Sequence, residues 1–194
     1  LIIQAIERSV DPNQDGNFND HVDIVSMSLG GYGNPDDPMS KAVDNAVNAG
    51  VIAVIAAGNS GPYEQTIGSP GTARNAITIG ATDKYDHFAD FSSRGPVVWR
   101  DAAGNEKSLT KPDITAPGVS ICAARLSSFE PWNNNPSYAK CVDDNHVLLS
   151  GTSMATPIVS GAVALIKQAH PDWSPDEIKM ILRNTAKDLG LSRN

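Results

Sequence analysis

The run Val51-Ile52-Ala53-Val54-Ile55-Ala56 leaves this chain few folds to choose from. It is far too short to cross a bilayer, and it offers no polar residue to turn toward water. A strand that is apolar at every position is buried on both faces, as in a parallel sheet covered by helices. The neighbouring segments agree with that reading. Leu1 to Val10 reads as the end of a helix, Val22 to Ser28 as a buried strand rich in β-branched residues, and Pro38 to Ala49 as a helix stopped by Gly50. Ala76 to Gly80 is a second strand of the same kind. A further helix is expected from Thr152 to about His170, with Pro157 in its first turns, where a missing N–H costs little. Ser174-Pro175-Asp176-Glu177 has the form of a capping box and opens a last helix. Helix-like and strand-like segments alternate, so the class is α/β: a parallel sheet with helices on both faces. With 194 residues there is room for one core, and residues 1–194 are expected to form one folding unit.

Chemistry concentrates in Gly151-Thr152-Ser153-Met154-Ala155-Thr156-Pro157, where one serine stands between a tight turn and a helix of small residues. At a helix amino end the backbone N–H groups lack intrahelical partners, and the dipole favours the negative charge that develops on an oxyanion. A serine mounted there suits acyl transfer. Taken alone, Ser153 reads as an ordinary helix cap.

Two more segments change that balance, Val25-Ser26-Met27-Ser28-Leu29-Gly30-Gly31 and Val54-Ile55-Ala56-Ala57-Gly58-Asn59-Ser60-Gly61. They are joined by Phe91-Ser92-Ser93-Arg94-Gly95-Pro96 and Lys111-Pro112-Asp113-Ile114-Thr115-Ala116-Pro117-Gly118. In this order and at these distances the blocks resemble those of the subtilisin-like serine proteases, over nearly the whole chain. The acidic loop from Asp11 to Asp20 and the stretch from Cys122 to His146 look like insertions on that scaffold. The resemblance implies that Ser153 is the nucleophile and forms an acyl-enzyme, with its own backbone N–H as one oxyanion donor. It makes the side-chain amide of Asn59 the other donor, a group that donates without titrating. Ser28, Leu29 and Gly30 would form an edge on which an extended polypeptide substrate adds as a strand, giving broad specificity. Ala56, Ala57, Gly58 and Gly68 would line a primary pocket. Their small side chains leave space for a large apolar group, and no acidic residue lies there to attract Lys or Arg. A propeptide partner is a further implication of the resemblance.

Asp11-Pro12-Asn13-Gln14-Asp15-Gly16-Asn17-Phe18-Asn19-Asp20 supplies oxygens at alternate positions and a Gly for a sharp turn, as Ca²⁺ loops do. The twelfth position is Val22 where such loops carry an acid, so Asp20 or a backbone carbonyl would have to complete the shell. By similarity to stabilising loops of related proteases, Asp11, Asn13, Asp15, Asn17 and Asp20 are the expected Ca²⁺ ligands. A solvated Asn/Asp-rich turn is the alternative.

Composition closes off other functions. A net charge of −7, without clustered Lys and Arg, argues against a nucleic-acid partner. No apolar run approaches the ~20 residues of a membrane span. Cys122 and Cys141 lie close enough for one bridge to close a short loop, worth about 3 kcal/mol of unfolded-state freedom. A disulfide is the expected state and implies a secreted or extracellular setting; two reduced thiols would imply a cytosolic one.

One departure from the family governs the functional expectation. Its triad runs Asp, His, Ser, with the Asp in a D-T/S-G block and the His in an H-G-T-H block, and neither block occurs in this chain. His21, His87, His146 and His170 do not fill the gap. The chain is therefore expected to be the C-terminal, serine-bearing part of a subtilisin-like domain, incomplete at both ends, whose N-terminal remainder is a partner. Alone it should lack peptidase activity, because Ser153 has no general base. The rival from another class is a non-catalytic module: a pseudoprotease that keeps the peptide-binding edge, or a Ca²⁺-dependent binding domain. An acyl-transfer ligase would share every residue named.

Overall fold

The computed structural model describes residues 1–125, 141–143 and 145–190. In chain order its elements are α1 (Ile2–Val10), β1 (Ile24–Met27), α2 (Pro38–Asn48), β2 (Ile52–Ala56), β3 (Ile77–Thr82), β4 (Val97–Arg100), β5 (Glu106–Leu109), β6 (Ile114–Pro117), β7 (Ile121–Ala124), β8 (His146–Leu149), α3 (Thr152–Ala169) and α4 (Pro175–Thr185). A short 3₁₀ turn spans Phe18–Asp20. Four strands form a parallel sheet in the order β1-β2-β3-β6, with Ile24 opposite Ile52, Val54 opposite Ile77 and Ile79 opposite Ile114.

All five residues of β2 are buried, as a strand with two covered faces requires. Its pleat divides them. Ile52 and Val54 join Ile77, Ile79, Ala155, Val159, Val163 and Ile178 under α3 and α4. Ala53 and Ile55 turn the other way, to Ile6 of α1 and Val43 and Val47 of α2. Period-2 alternation thus builds two cores from one apolar run, and the expected α/β class with helices on both faces is what the chain adopts.

Local chemistry sets the helix limits. The Asp37 carboxylate accepts from the N–H groups of Met39 and Ser40 at 2.8 and 2.9 Å, and Pro38 follows as the first helical residue. Gly50 then leaves α2 with φ of +112°, a conformation that favours glycine. The capping box of α4 forms: the Ser174 N–H donates to Glu177 Oε2 at 2.8 Å, and the Glu177 N–H donates to Ser174 Oγ at 3.4 Å. α3 keeps its expected limits to within a residue, and α4 opens where the capping box placed it.

Pattern reading did not anticipate three features. Ile114–Pro117, taken as part of a linking motif, is the fourth parallel strand. Two antiparallel hairpins stand outside the sheet, β4 with β5 and β7 with β8. The expected disulfide Cys122–Cys141, by contrast, is present, with its Cα atoms 5.9 Å apart. The expected insertion from Cys122 to His146 lies largely outside the described residues, which omit 126–140 and 144.

A buried charge cluster fastens β3, the start of β6 and α4 together. Asp113 Oδ2 lies 2.6 Å from Lys111 Nζ and accepts the Thr78 N–H at 2.8 Å, while Asp113 Oδ1 lies 3.3 Å from Lys179 Nζ. Both ammonium groups also donate to the Ala76 carbonyl. The Lys111 side chain has no exposure and that of Asp113 has 2%.

Candidate active site

The loops that leave the carboxyl ends of β1 and β2 meet the amino end of α3, the place where open α/β sheets bind ligands. They enclose a cavity of about 740 Å³ lined by residues from Ser28–Gly33, Ala56–Ser60, Gln65–Gly68, Val97–Val98 and Thr152–Ser153. Ser153, Asn59, Ser28, Leu29, Gly30, Ala56, Ala57, Gly58 and Gly68 all lie on its wall. Among the described residues no lining residue is charged, so a charged side chain entering the cavity would lose water without meeting a counter-charge.

Ser153 is the second residue of α3, half-buried, and α3 begins at Gly151 without a side-chain cap. Helix geometry gives the Ser153 N–H no intrahelical acceptor. Asn59 is held from behind. Its Oδ1 accepts the Thr152 N–H at 2.9 Å and the Thr152 hydroxyl at 3.0 Å. A backbone N–H can only donate, so the atom facing it is the oxygen, and the amide NH₂ is turned away from Thr152. The Gly58 N–H donates to Thr152 Oγ1 at 3.2 Å and closes the arrangement. Gly58 has φ of +105°, and a Cβ there would stand 2.9 Å from Ser93 Oγ. Thr152 is thus the fully buried pivot between the two motifs. Its place in the sequence gave no sign of this, since threonine is unremarkable in a first helical turn.

Pro157 requires a correction. It is the sixth residue of α3, not one of the free first N–H positions, and the N–H it lacks would have gone to the Ser153 carbonyl. That carbonyl accepts instead from Ser28 Oγ at 3.0 Å. Ser28, expected only as part of a substrate edge, therefore also completes the hydrogen bonding of the serine's turn. The proline four residues after Ser153 was the signal for it. Leu29 and Gly30 are exposed beside it, while Gly31 pairs with Ser69 through bonds of 2.8 and 2.9 Å. Gly68 packs against that bridge, where a Cβ would come within 2.8 Å of the Gly31 oxygen.

Val97 and Val98, from β4, line the cavity although no motif pointed to them. Val97 packs with Ala57 and Ile67, with Trp99 and Leu109 alongside. The Trp99 indole N–H donates to Asp36 Oδ2 at 2.8 Å, and Arg74 meets Asp36 Oδ1 at 2.6 Å with its guanidinium carbon 5.2 Å from the Trp99 ring centre. Hydrogen bonds from Arg74 and then Trp99 hold the Asp36 carboxyl below its ordinary range.

The histidines lie elsewhere. His87 and His146 bond the carboxylates of Asp83 and Asp143 at 3.1 and 2.7 Å, His170 stacks on Trp173 at 3.8 Å, and His21 Nδ1 lies 2.9 Å from the Val22 oxygen. In the acidic loop the side-chain oxygens turn onto its own backbone. Asp11 accepts from Asp15 and Gly16, Asn13 from Asp15, Asp15 from Asn17, and Asn17 from Asn19, at 2.8–3.2 Å. Asp20 sits apart in the 3₁₀ turn. Among the described residues no group of three or more His, Cys, Asp or Glu side chains is arranged to hold a metal ion.

The model of the Peptidase_S8 subtilase family matches residues 1–194. Serine protease AprX of Bacillus subtilis (strain 168) is 43% identical over 195 residues, covering 94% of this chain and 42% of that protein. Subtilisin BL of Lederbergia lenta is 36% identical over 172 residues, covering 89% of this chain and 52% of that protein. Among solved structures, Sphericase superposes with a TM-score of 0.69 at 32% identity, over 95% of this chain and 54% of that one. The chain thus spans about half the length of the relatives it matches. With its motifs gathered on one cavity and a family match from end to end, the chain belongs to the subtilase family.

Proposed function

We propose that this chain is the serine-bearing part of a subtilisin-like serine endopeptidase that cleaves polypeptides through an acyl-enzyme on Ser153. The observation that carries the reading is the locked Asn59 amide beside Ser153 at the head of α3. In the proposed reaction Ser153 Oγ bonds to the scissile carbonyl carbon as its proton passes to a histidine in the parent's H-G-T-H block. The oxyanion takes hydrogen bonds from the Ser153 N–H and Asn59 Nδ2. The C–N bond breaks, the leaving amine takes the proton, and water then hydrolyses the ester. An extended substrate would add along Ser28, Leu29 and Gly30, bound largely through its main chain, so specificity would be broad. The uncharged cavity around Ala56, Ala57, Gly58 and Gly68 would favour a large apolar side chain. None of the four histidines lines that cavity, which supports inactivity of this chain by itself.

The test is covalent labelling of Ser153 by a fluorophosphonate, with Ser153→Ala as control. Labelling is expected when this chain is combined with the N-terminal part of its parent and not with the chain alone. A folded mixture that does not label would replace the protease reading with a non-catalytic, peptide-binding module.

We further propose a structural Ca²⁺ in the Asp11–Asp20 loop. The oxygens of Asp11, Asn13, Asp15 and Asn17 are hard donors gathered on one turn, chemistry that suits this ion, and Asp20 is the remaining ligand to supply. At about one hundred times the dissociation constant, binding would add roughly 2.7 kcal/mol. Chelation should then lower Tm by roughly 5–10 °C, and Asp15→Ala should abolish the difference. Equal melting with calcium and with chelator would remove the ion from the reading. The disulfide supports an exported protein. Among the described residues no helix is long and apolar enough to cross a membrane.

A further inference from the structure

Resting on the protease reading, we propose that the β4–β5 hairpin is a specificity wall, and that Val98 contacts the substrate side chain on the acyl side of the scissile bond. Val97 and Val98 line the same cavity as Ser153, Asn59 and Gly68. The two valines divide the work. Val97 is 6% exposed and is spent on packing against Ala57 and Ile67, whereas Val98 is 37% exposed and has apolar surface left to offer. Period-2 alternation places them on opposite faces of β4, so one anchors the strand and its neighbour is presented.

A two-stranded hairpin on its own is too unstable to shape a pocket. This one is tied down at its own strand by Trp99, whose indole N–H reaches Asp36 at 2.8 Å and whose ring lies against Arg74. Arg74 in turn donates to the Pro35 carbonyl at 2.6 Å and pairs with Asp36 at the same distance. Asp36, Arg74 and Trp99 are therefore positioning residues, which hold Val98 through contacts made outside the cavity. Because none of the described residues lining the cavity is charged, a carboxylate placed at position 98 would introduce a charge there and would select a cationic partner.

The test uses the full-length parent and peptide substrates that differ only in the residue before the scissile bond. Val98→Glu is expected to shift the ratio of kcat/KM for Lys over Leu upward by about 10²-fold, a gain that misfolding cannot produce. Val98→Trp should lower kcat/KM for Phe by roughly 10–200-fold and spare Ala. Trp99→Phe, which keeps the ring and loses the N–H bond to Asp36, should raise KM for Phe severalfold with kcat unchanged. Variants that label with fluorophosphonate like the wild type but keep its Lys, Leu, Phe and Ala ratios would overturn the assignment while leaving the protease reading intact. A wild-type parent that fails to label would overturn both.

Discussion

Asn59→Leu in the full-length parent is expected to lower kcat by about 10²–10³-fold and to move KM little. That magnitude is the one measured in subtilisin, a member of this family, for loss of an oxyanion-hole donor. The reason to expect it here is orientation. Thr152 presents two donors, N–H and Oγ–H, to one side of the Asn59 amide, and they can be satisfied only by its oxygen. The NH₂ is thereby aimed without reorganisation at the moment of reaction, and leucine keeps the volume while removing that donor. A ground-state carbonyl needs the hydrogen bond less than an oxyanion does, so the loss belongs in kcat. Unchanged kcat in a folded Asn59→Leu variant would show that the amide does not face the reacting oxygen.

The second large effect concerns stability and lies away from the cavity. Asp113→Ala should cost about 3–5 kcal/mol, because it leaves the Lys111 and Lys179 ammonium groups near each other without their shared carboxylate. In melting temperature this is on the order of 10 °C. Lys111→Met should be milder, since its aliphatic volume stays and Asp113 keeps Lys179 and the Thr78 N–H as partners. The pH dependence follows from the same cluster. Burial pushes Lys111 down to about 8 from 10.5; the Asp113 carboxylate opposes this and the Lys179 charge adds to it. Between those values the unfolded chain binds the proton that the folded chain has released, so stability from this group rises with pH from about 8 to about 10.5. Below about pH 8 the cost of holding the buried ammonium is fully present. Urea unfolding across that window should show the rise in the wild type and lose it in Lys111→Met. A rise that persists in the variant would assign it to another group.

The fold was legible in the sequence where burial on two faces forces a continuous apolar run, as in Val51–Ala56, and where a helix carries its own boundary signs, the stop at Gly50 and the start at Ser174. The β4–β5 hairpin was not. Val97–Arg100 is only four residues long, Glu106–Leu109 is mostly exposed, and what steadies the pair comes from Ala57, Ile67, Asp36 and Arg74, all remote in sequence. The cavity followed the same rule. Ser153 and Asn59 announce themselves through motifs, whereas Thr152 and Val98 matter through neighbours that only folding supplies.

Ser28 serves two masters. Its hydroxyl supplies the Ser153 carbonyl with the hydrogen bond that Pro157 denies it, while its backbone belongs to the exposed segment on which a peptide is proposed to add. In the proposed enzyme, a strand added there would press on the very residue that steadies the turn of Ser153, 125 positions further along the chain. Under the protease reading, grip and reactivity would share this one joint, so neither could be retuned at position 28 without disturbing the other.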